Sequence, residues 1–285
     1  MKIGTDQYNT FDTMTMDCWN DRVYYEGKEF PAGQFAAEIL NFAGVIHDPL
    51  LERITVLTAL VDDLSTAEKS KRHDIAAQLK PLLHDTVSWL YTCPPFCYCE
   101  SQSAYEDLEH ALSEERLDRD YEEEEAHLPY LALSFCEPIL RILAAIYNFC
   151  LLIRAFEMKY LRGSKRRNAD AFAKAAHECF DEDDSFLILL EQMPFGGVEE
   201  FFSYPRVITG FKYFQDENNE EKWKTAQRVI CKRAIDFYVF DLMNGLHHGH
   251  APSQCQGCGR YFLTTNGHIP KYCDGVAPQD NRYTC

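Results

Sequence analysis

The sequence predicts a mainly α-helical protein that carries two small β-hairpins and a compact cysteine-rich module at its C-terminal end. Three observations support this fold class. Apolar residues recur every three or four positions over long segments, two short segments combine aromatic and β-branched residues around turn residues, and four of the twelve cysteines lie after residue 250. We therefore expect a mainly helical domain over residues 1–250 and a metal-binding module over residues 251–285.

The segment 33–92 predicts three helices. Its second helix begins after Pro49, and its third runs from Ser65 or Thr66 toward Tyr91 with a kink or restart at Pro81. A long apolar helix is predicted from about residue 134 to 161. Its most apolar stretch, 139–153, falls short of the roughly 20 residues that a membrane span requires, so we expect a buried helix and no membrane association.

The last predicted helix covers residues 219–246. Its apolar face is formed by residues at helical spacing, namely Trp223, Ala226, Ile230, Ala234 and Phe237. Lys224, Arg228 and Lys232 lie on the opposite face, and we call these three residues the basic ridge. Glycines near the predicted C-terminal end, at 245 and 249, suit a helix terminus.

Two segments predict hairpins. Residues 23–30 place aromatic and β-branched side chains on both sides of a Glu26-Gly27 turn, and residues 200–214 do so around a Tyr204-Pro205 turn. Both segments are short, so the prediction of a mainly helical fold does not change.

The charge distribution limits the classes of partner. The net charge of −17 argues against broad attraction to nucleic acid or to an anionic membrane. The segment 100–127 alone has twelve acidic residues against Arg116 and Arg119. No continuous apolar run is present at the N-terminus, so we expect no secretory signal and a cytoplasmic location.

The C-terminal cysteines have the spacing C-x2-C-x14-C-x11-C, formed by Cys255, Cys258, Cys273 and Cys285. In a reducing compartment, clustered cysteines bind metal more often than they form disulfides. Gly259 directly follows the C-x2-C pair and suits a tight turn that brings both sulfurs to one ion. The spacing predicts a zinc-finger module, and a set of four thiolates would make the zinc structural rather than catalytic.

Other ligand sets remain open from the sequence. The C-x2-C pair could be incidental, His268 could replace one of the later cysteines, and the run His247, His248 and His250 could form an auxiliary site. A second cluster, Cys93, Cys97 and Cys99, predicts either an inert loop or a second metal site.

The motif CQGCGRYF followed by KYCD and TC resembles the C-terminal zinc finger of an uncharacterised family of bacterial proteins. It is similar, more distantly, to the CGNR-type finger of bacterial regulators, in which a helical domain precedes a small DNA-binding zinc module. The resemblance covers roughly residues 220–285 and implies a bacterial or phage protein with a zinc-dependent regulatory role.

The sequence predicts a binding protein rather than an enzyme. It lacks the common metalloprotease, P-loop, nucleophile-elbow and dinucleotide-binding motifs, so an enzyme with an unrecognised site ranks third and a small-molecule substrate is not expected. The first hypothesis is a protein-binding regulator or inhibitor that engages a basic surface. Its acidic face would include Glu122, Glu123, Glu124 and Glu125. The alternative is a nucleic-acid-binding regulator that uses the zinc finger and the basic ridge.

Overall fold

The computed structural model describes residues 13–42, 49–117, 130–164, 166–191, 206–216, 219–265, 271–277 and 280–284. The chain forms two compact units. The first unit consists of Met1–Thr13 and Gly44–Ala145, and the second consists of Met14–Ala43 and Ile146–Cys285. No border between these units falls at residue 250. Independent folding of residues 251–285 therefore stays a prediction.

Nine α-helices are present in the described residues. In chain order they are α1 (Gln34–Ile39), α2 (Pro49–Thr66), α3 (Lys69–Leu90), α4 (Gln102–Ala111), α5 (Glu114–Leu117), α6 (Tyr130–Phe156), α7 (Ala169–Phe180), α8 (Asp184–Glu191) and α9 (Ala234–His247). A 3₁₀ turn occupies Phe96–Tyr98, and a π-helical turn at Glu157–Leu161 continues α6.

Nine strands accompany these helices in the described part of the chain. They are β1 (Met14–Trp19), β2 (Arg22–Tyr25), β3 (Lys28–Pro31), β4 (Val207–Asp216), β5 (Asn219–Cys231), β6 (Ala251–Gln254), β7 (Tyr261–Thr264), β8 (Val276–Ala277) and β9 (Asp280–Thr284). Strands β1 to β5 form one antiparallel sheet in the order β3-β2-β1-β5-β4, while β6–β7 and β8–β9 form two separate hairpins.

The first unit is built from α2, α3, α4, α5 and the N-terminal part of α6. Helices α2 and α3 pack together, and α4 and α5 pack against α3. The predicted apolar positions of α2 are buried, namely Leu50, Ile54, Leu57 and Val61. Helix α3 continues through the exposed Pro81 without a restart. Apolar periodicity therefore predicted helices α2 and α3 correctly, whereas the kink or restart predicted at Pro81 is wrong.

The segment Phe135–Leu161 is long and apolar enough to cross a membrane by length and composition alone. In the structure, 56% of its most apolar window is buried. Buried core helices of soluble proteins satisfy the same criteria, so this segment is only weak evidence for a membrane span.

The predicted hairpin at residues 23–30 is confirmed. Strands β2 and β3 pair antiparallel, with Tyr25 opposite Lys28. Glu26 and Gly27 form the turn with φ angles of 46° and 72°. Two positive φ values in a two-residue hairpin turn match the right-handed twist of the flanking strands.

The prediction of a mainly α fold is wrong, because the protein combines its helices with a five-stranded antiparallel sheet and is an α+β protein. The largest error concerns residues 219–246. Residues 219–231 form β5, and only Ala234–His247 is helical. Trp223, Ala226 and Ile230 share a helical spacing by coincidence. In the strand, Trp223 points to the opposite face from the other two, because side chains alternate with a period of two.

The second predicted hairpin, residues 200–214 around a Tyr204-Pro205 turn, falls only partly in the described residues. Residues 207–216 form the single strand β4, which pairs with β5 from Val207 opposite Cys231 to Asp216 opposite Asn219. The aromatic and β-branched composition of this segment therefore indicated a strand correctly. Tyr204 and Pro205 lie outside the described residues, so the turn at these residues stays a prediction.

In the second unit, one face of the sheet is covered by α1 and α9. Tyr25 from β2 contacts both Phe35 of α1 and Phe237 of α9, with ring centroids 5.6 and 5.5 Å apart. The two helices approach most closely at Gly33 and Gly245. A Cβ atom at Gly245 would lie 2.8 Å from the Gly33 Cα, so no larger residue fits there without a shift.

A buried carboxylate fixes the start of α1. Asp241 of α9 is fully buried, and its two carboxylate oxygens accept hydrogen bonds from the backbone N–H groups of Gly33 and Ala36, each at 2.9 Å. These are N–H groups that have no partner within the first turn of a helix. Burial raises the pKa of Asp241 to about 7, although the backbone hydrogen bonds favour the ionised form.

Candidate metal centre

The C-x2-C pair lies in the turn that connects β6 to β7. Strand β6 ends at Gln254 and β7 begins at Tyr261, so the two strands place Cys255 and Cys258 at the end of a two-stranded hairpin. The backbone N–H of Gly259 donates to the carbonyl of Cys255 at 2.9 Å, and the N–H of Cys255 donates to the carbonyl of Arg260 at 2.8 Å. Gly259 has a φ of 73°, which glycine adopts without the steric cost that other residues bear.

Three predicted ligands converge. The sulfur atoms of Cys255, Cys258 and Cys273 all lie within 4.8 Å of one another, and those of Cys258 and Cys273 are 3.6 Å apart. Zinc–sulfur bonds of about 2.3 Å in a tetrahedral site place two sulfurs about 3.8 Å apart. The separation therefore fits two ligands of one metal ion. It is far longer than a disulfide bond of about 2.0 Å.

The surroundings of Cys255 favour its thiolate. Its side chain is buried, which alone would raise its pKa. Backbone N–H groups of the turn and of Cys273 point at the sulfur, however, and they lower the pKa of the Cys255 thiol to about 6. The Cys273 N–H lies 3.3 Å from this sulfur. N–H donors directed at a sulfur are a common second shell of metal-bound thiolates.

The segment that carries Cys273 is held against the turn by its backbone. The N–H of Gln256 donates to the carbonyl of Lys271 at 2.8 Å. On the other side, a Cβ atom at Gly275 would lie 3.1 Å from the Cys273 sulfur. A side chain at Gly275 would thus crowd the Cys273 sulfur, and glycine at this position leaves room for that sulfur.

The fourth predicted ligand, Cys285, lies outside the described residues, as does the alternative ligand His268. The structure therefore describes three ligands of the predicted set. Three cysteines at this separation can hold a metal ion, and their donor atoms are those that zinc prefers.

The second cysteine cluster does not form such a group in the described part of the chain. Cys93 is buried and directs its thiol to the carbonyl of Trp89 at 3.4 Å, while Cys97 is exposed. His250 also has a structural role, because its buried ring donates from Nδ1 to the carbonyl of Ala32 at 2.9 Å. The auxiliary histidine site thus gains no support.

The β6–β7 hairpin, which carries the C-x2-C pair, contacts the rest of the second unit through polar groups. The side chain of Asn41, just after α1, donates to the Tyr261 carbonyl at 3.0 Å and accepts from the Tyr261 N–H at 2.7 Å. The Thr264 hydroxyl donates to the carbonyl of Ala251 across the hairpin at 2.9 Å. Sequence reasoning missed Asn41, because a residue 220 positions away gives no local signal.

The predicted partner-binding residues have different environments. Glu122, Glu123, Glu124 and Glu125 lie outside the described residues. Lys224 and Arg228 share one face of β5, since they are four residues apart on a strand, whereas Lys232 follows the strand and is exposed. The basic ridge is therefore not a helix face, and its members do not form one row.

Arg228 is engaged within the protein. Its guanidinium donates two hydrogen bonds to the carboxylate of Asp17, at 2.8 and 3.0 Å, and Lys212 donates to the same carboxylate at 2.9 Å. Burial opposes ionisation of Asp17, but the two cations hold the pKa of this carboxyl below its usual value. No local pattern predicts this cluster, because Asp17 is brought to Arg228 and Lys212 by the pairing of β5 with β1 and β4.

The comparisons with known proteins give a family match for the C-terminal part of the chain. No curated protein and no solved structure matches the chain. Residues 203–285 match a family of unknown function, DUF6076. The expected resemblance to an uncharacterised family is thus confirmed for this segment, whereas the zinc finger and the bacterial origin stay predictions.

Proposed function

We propose that this chain is a non-enzymatic, zinc-containing binding protein of the cytoplasm, in which Cys255, Cys258, Cys273 and Cys285 hold a structural zinc ion. One observation carries the zinc site: three of these four sulfurs lie within 4.8 Å of one another. With Cys285 as the fourth ligand, the coordination sphere would be closed to substrate and water. The zinc would then hold the C-terminal hairpins in place rather than perform chemistry.

The first unit is the better candidate for the partner-binding surface. It contains 22 acidic and 9 basic residues, so it accounts for most of the net charge of −17. On α4 and α5, Leu108, Leu112 and Leu117 are buried, while Glu106, Glu109 and Glu114 are exposed. Such an acidic surface costs stability through self-repulsion, and a basic protein surface as partner would offset that cost. We infer a regulator or inhibitor that engages a basic protein.

A capture experiment with matched charge variants tests this role. Tagged wild-type protein and a variant with Glu122, Glu123, Glu124 and Glu125 changed to Gln would be incubated with nuclease-treated lysate, and bound proteins identified by mass spectrometry. The control variant neutralises four exposed acids elsewhere in the same unit, at Asp62, Asp63, Glu68 and Asp74. We expect a basic protein that binds the wild type and the control but not the first variant.

The association rate of that protein, purified, should fall in the Glu-to-Gln variant at low salt. The difference should shrink at high salt, where screening already removes the electrostatic steering. Equal losses in both variants would indicate non-specific attraction to net charge. Equal binding by all three proteins would reject the acidic surface.

Nucleic acid is the second candidate partner, because one face of the five-stranded sheet carries aromatic and cationic side chains around a cavity. A cavity of about 510 Å³ on this face is lined by the aromatic residues Trp19, Tyr24 and Phe214 and by Lys212 and Lys224. Lys224 lies 4.2 Å from the centroid of the Trp19 ring, and the Phe214 ring is 6.5 Å from that ring. Aromatic side chains beside cations are typical of surfaces on which the bases of single strands stack.

Carboxylates weaken this second candidate. Glu26 and Glu29 line the β2–β3 side of the same cavity, and Asp17 engages Lys212. Binding of a fluorescent single-stranded oligonucleotide at two salt concentrations tests it directly. Loss of binding in Trp19→Ala together with a steep salt dependence would favour nucleic acid, whereas an absence of binding at low salt would exclude it.

A further inference from the structure

A second cleft lies beside the three-cysteine cluster and has no role in the proposed function. Its volume is about 410 Å³, within the range of small-molecule sites, and Cys255 and Gly259 form part of its wall. Among the described residues that line it are three cationic side chains, those of Arg162, Arg167 and Lys271, and one carboxylate, that of Glu157.

Arg167 is the least ordinary of these residues. It is only 3% exposed, and its guanidinium donates to two neutral acceptors, the carbonyl of Pro252 at 3.3 Å and the hydroxyl of Thr264 at 3.4 Å. Its Nε is buried and makes no hydrogen bond. Burying a guanidinium whose hydrogen-bond acceptors in the described residues are neutral is costly, and an anion in the cleft that Arg167 lines would offset that cost.

The other two cations are positioned to contact the same ligand. Arg162 is held by Glu157 at 3.2 Å and by the side-chain oxygen of Gln254 at 2.7 Å, which fixes its guanidinium at the cleft. Lys271 is exposed, and its carbonyl is bonded to the turn through Gln256. The described side chains that line the cleft thus carry three positive charges against one negative charge, apart from Cys255.

The metal centre is the competing explanation for these cations. Zinc with four thiolates would carry a net charge of −2, and nearby cations would offset it. Charge compensation of this kind acts over several ångströms, however, and does not require an open cleft. The volume of the cleft and the three cations that line it therefore favour a bound anion.

We propose that this cleft binds a phosphate group, held by Arg162, Arg167 and Lys271. A phosphate group offers several oxygen acceptors and a negative charge at neutral pH, about −1 in a diester and about −1.5 to −2 in a monoester, which suits three neighbouring cations. The phosphate belongs either to a free phosphorylated small molecule or to a nucleic-acid backbone. This proposal is independent of the acidic surface, because its residues all lie in the second unit.

The test uses the full-length, zinc-loaded protein. Inorganic phosphate is titrated against it by calorimetry, with sodium chloride of equal ionic strength as the reference. An eight-residue oligothymidylate without a terminal phosphate is titrated in parallel. We expect saturable binding of at least one probe, weakened about tenfold in Arg162→Gln and in Lys271→Gln, as expected for the loss of one hydrogen bond to a charged group. Lys174→Gln is the control, since Lys174 is exposed on α7, and it should bind like the wild type.

The two probes distinguish the two sources. Binding of inorganic phosphate that depends on Arg162 identifies a free phosphorylated ligand. Binding of the oligonucleotide alone, with the same dependence, identifies a backbone phosphate.

Three results would overturn the proposal. The first is that neither probe binds above the chloride reference, and the second is that the variants bind as tightly as the wild type. The third is that Arg162→Gln releases zinc without changing phosphate binding, which would assign the cations to the metal centre. Metal content is therefore measured for each variant.

Discussion

The two units of this protein differ in how many polar side chains they bury. In the described part of the first unit, the acidic side chains are exposed or half-buried and the helical interior is apolar. In the described part of the second unit, several polar and charged side chains are buried. Of the ten buried polar residues in the described part of the chain, Thr86 alone belongs to the first unit. Asp241, Arg167 and His250 are examples from the second.

This difference predicts two kinds of sensitivity. Apolar burial is non-directional and changes little with pH or metal. The first unit should therefore tolerate single substitutions of its polar residues. Buried polar groups depend on particular partners, and the loss of one partner leaves the other unsatisfied. The second unit should therefore respond strongly to single substitutions, to pH and to removal of metal.

The largest effect is expected for Cys258→Ser. A structural zinc supplies about 10–16 kcal/mol of apparent binding energy in zinc-finger peptides, and this energy is also folding energy. Hydrogen exchange should show loss of protection in β6 and β7, while the amides of α2 and α3 keep theirs. The exposed Cys97 provides the control, and Cys97→Ser should exchange like the wild type. Equal loss of protection in both units would contradict the comparison.

A smaller effect is expected for Asp241→Asn. The Asn carboxamide has one acceptor oxygen where the carboxylate has two. One of the two buried N–H groups at the start of α1 therefore loses its acceptor, at a cost of about 1–3 kcal/mol. Urea unfolding measures this cost. Asp170→Asn, at an exposed site on α7, should change stability far less.

The same residue predicts a pH dependence. Burial raises the pKa of Asp241 to about 7, so between about pH 4 and pH 7 the folded protein binds more protons than the unfolded chain at this site. This contribution makes stability fall as the pH rises through that interval. The negative charge of the nearby Glu38 also raises this pKa. The fall should be shallower in Asp241→Asn, and an unchanged slope would show that another group causes it.

Arg228→Ala should cost about 1–2 kcal/mol, because Asp17 would keep Lys212 but lose its two-bond partner. The pKa of Asp17 is lowered in the folded state, so the stabilisation is present at neutral pH and is lost as the pH falls below the usual value of the carboxyl. The difference between wild type and variant should therefore shrink near pH 3. Lys232→Ala, at an exposed residue with the same charge, is the control.

The smallest effect concerns the acidic surface. Changing Glu122, Glu123, Glu124 and Glu125 to Gln relieves self-repulsion and should raise stability by less than about 1 kcal/mol. Calorimetry at low salt would detect the rise, which should vanish at high salt. A loss of stability would instead indicate that these glutamates make stabilising contacts, which would contradict their proposed role as a repulsive acidic surface.

The two units also differ in how far the sequence predicted them. Helix α2 followed from the spacing of Leu50, Ile54 and Leu57, because a helix depends on neighbours three and four residues apart. The C-x2-C turn and the Glu26-Gly27 hairpin were predicted for the same reason, since their geometry is local.

The sheet and its buried polar groups depend on distant pairs instead. Strand β1 pairs with β5 more than 200 residues away, and Asp241 meets Gly33 across 208 residues. No local pattern encodes such pairs. Strand β5 was mistaken for a helix, because three of its apolar residues happened to have helical spacing.

Metal content tests the central claim most directly. Full-length protein purified without chelators and without added metal should contain one equivalent of zinc per chain by elemental analysis. Cys258→Ser should lose it, and Cys97→Ser should keep it. Zinc well below one equivalent in the wild type, or equal zinc in the wild type and Cys258→Ser, would contradict a structural zinc ion at Cys255, Cys258, Cys273 and Cys285.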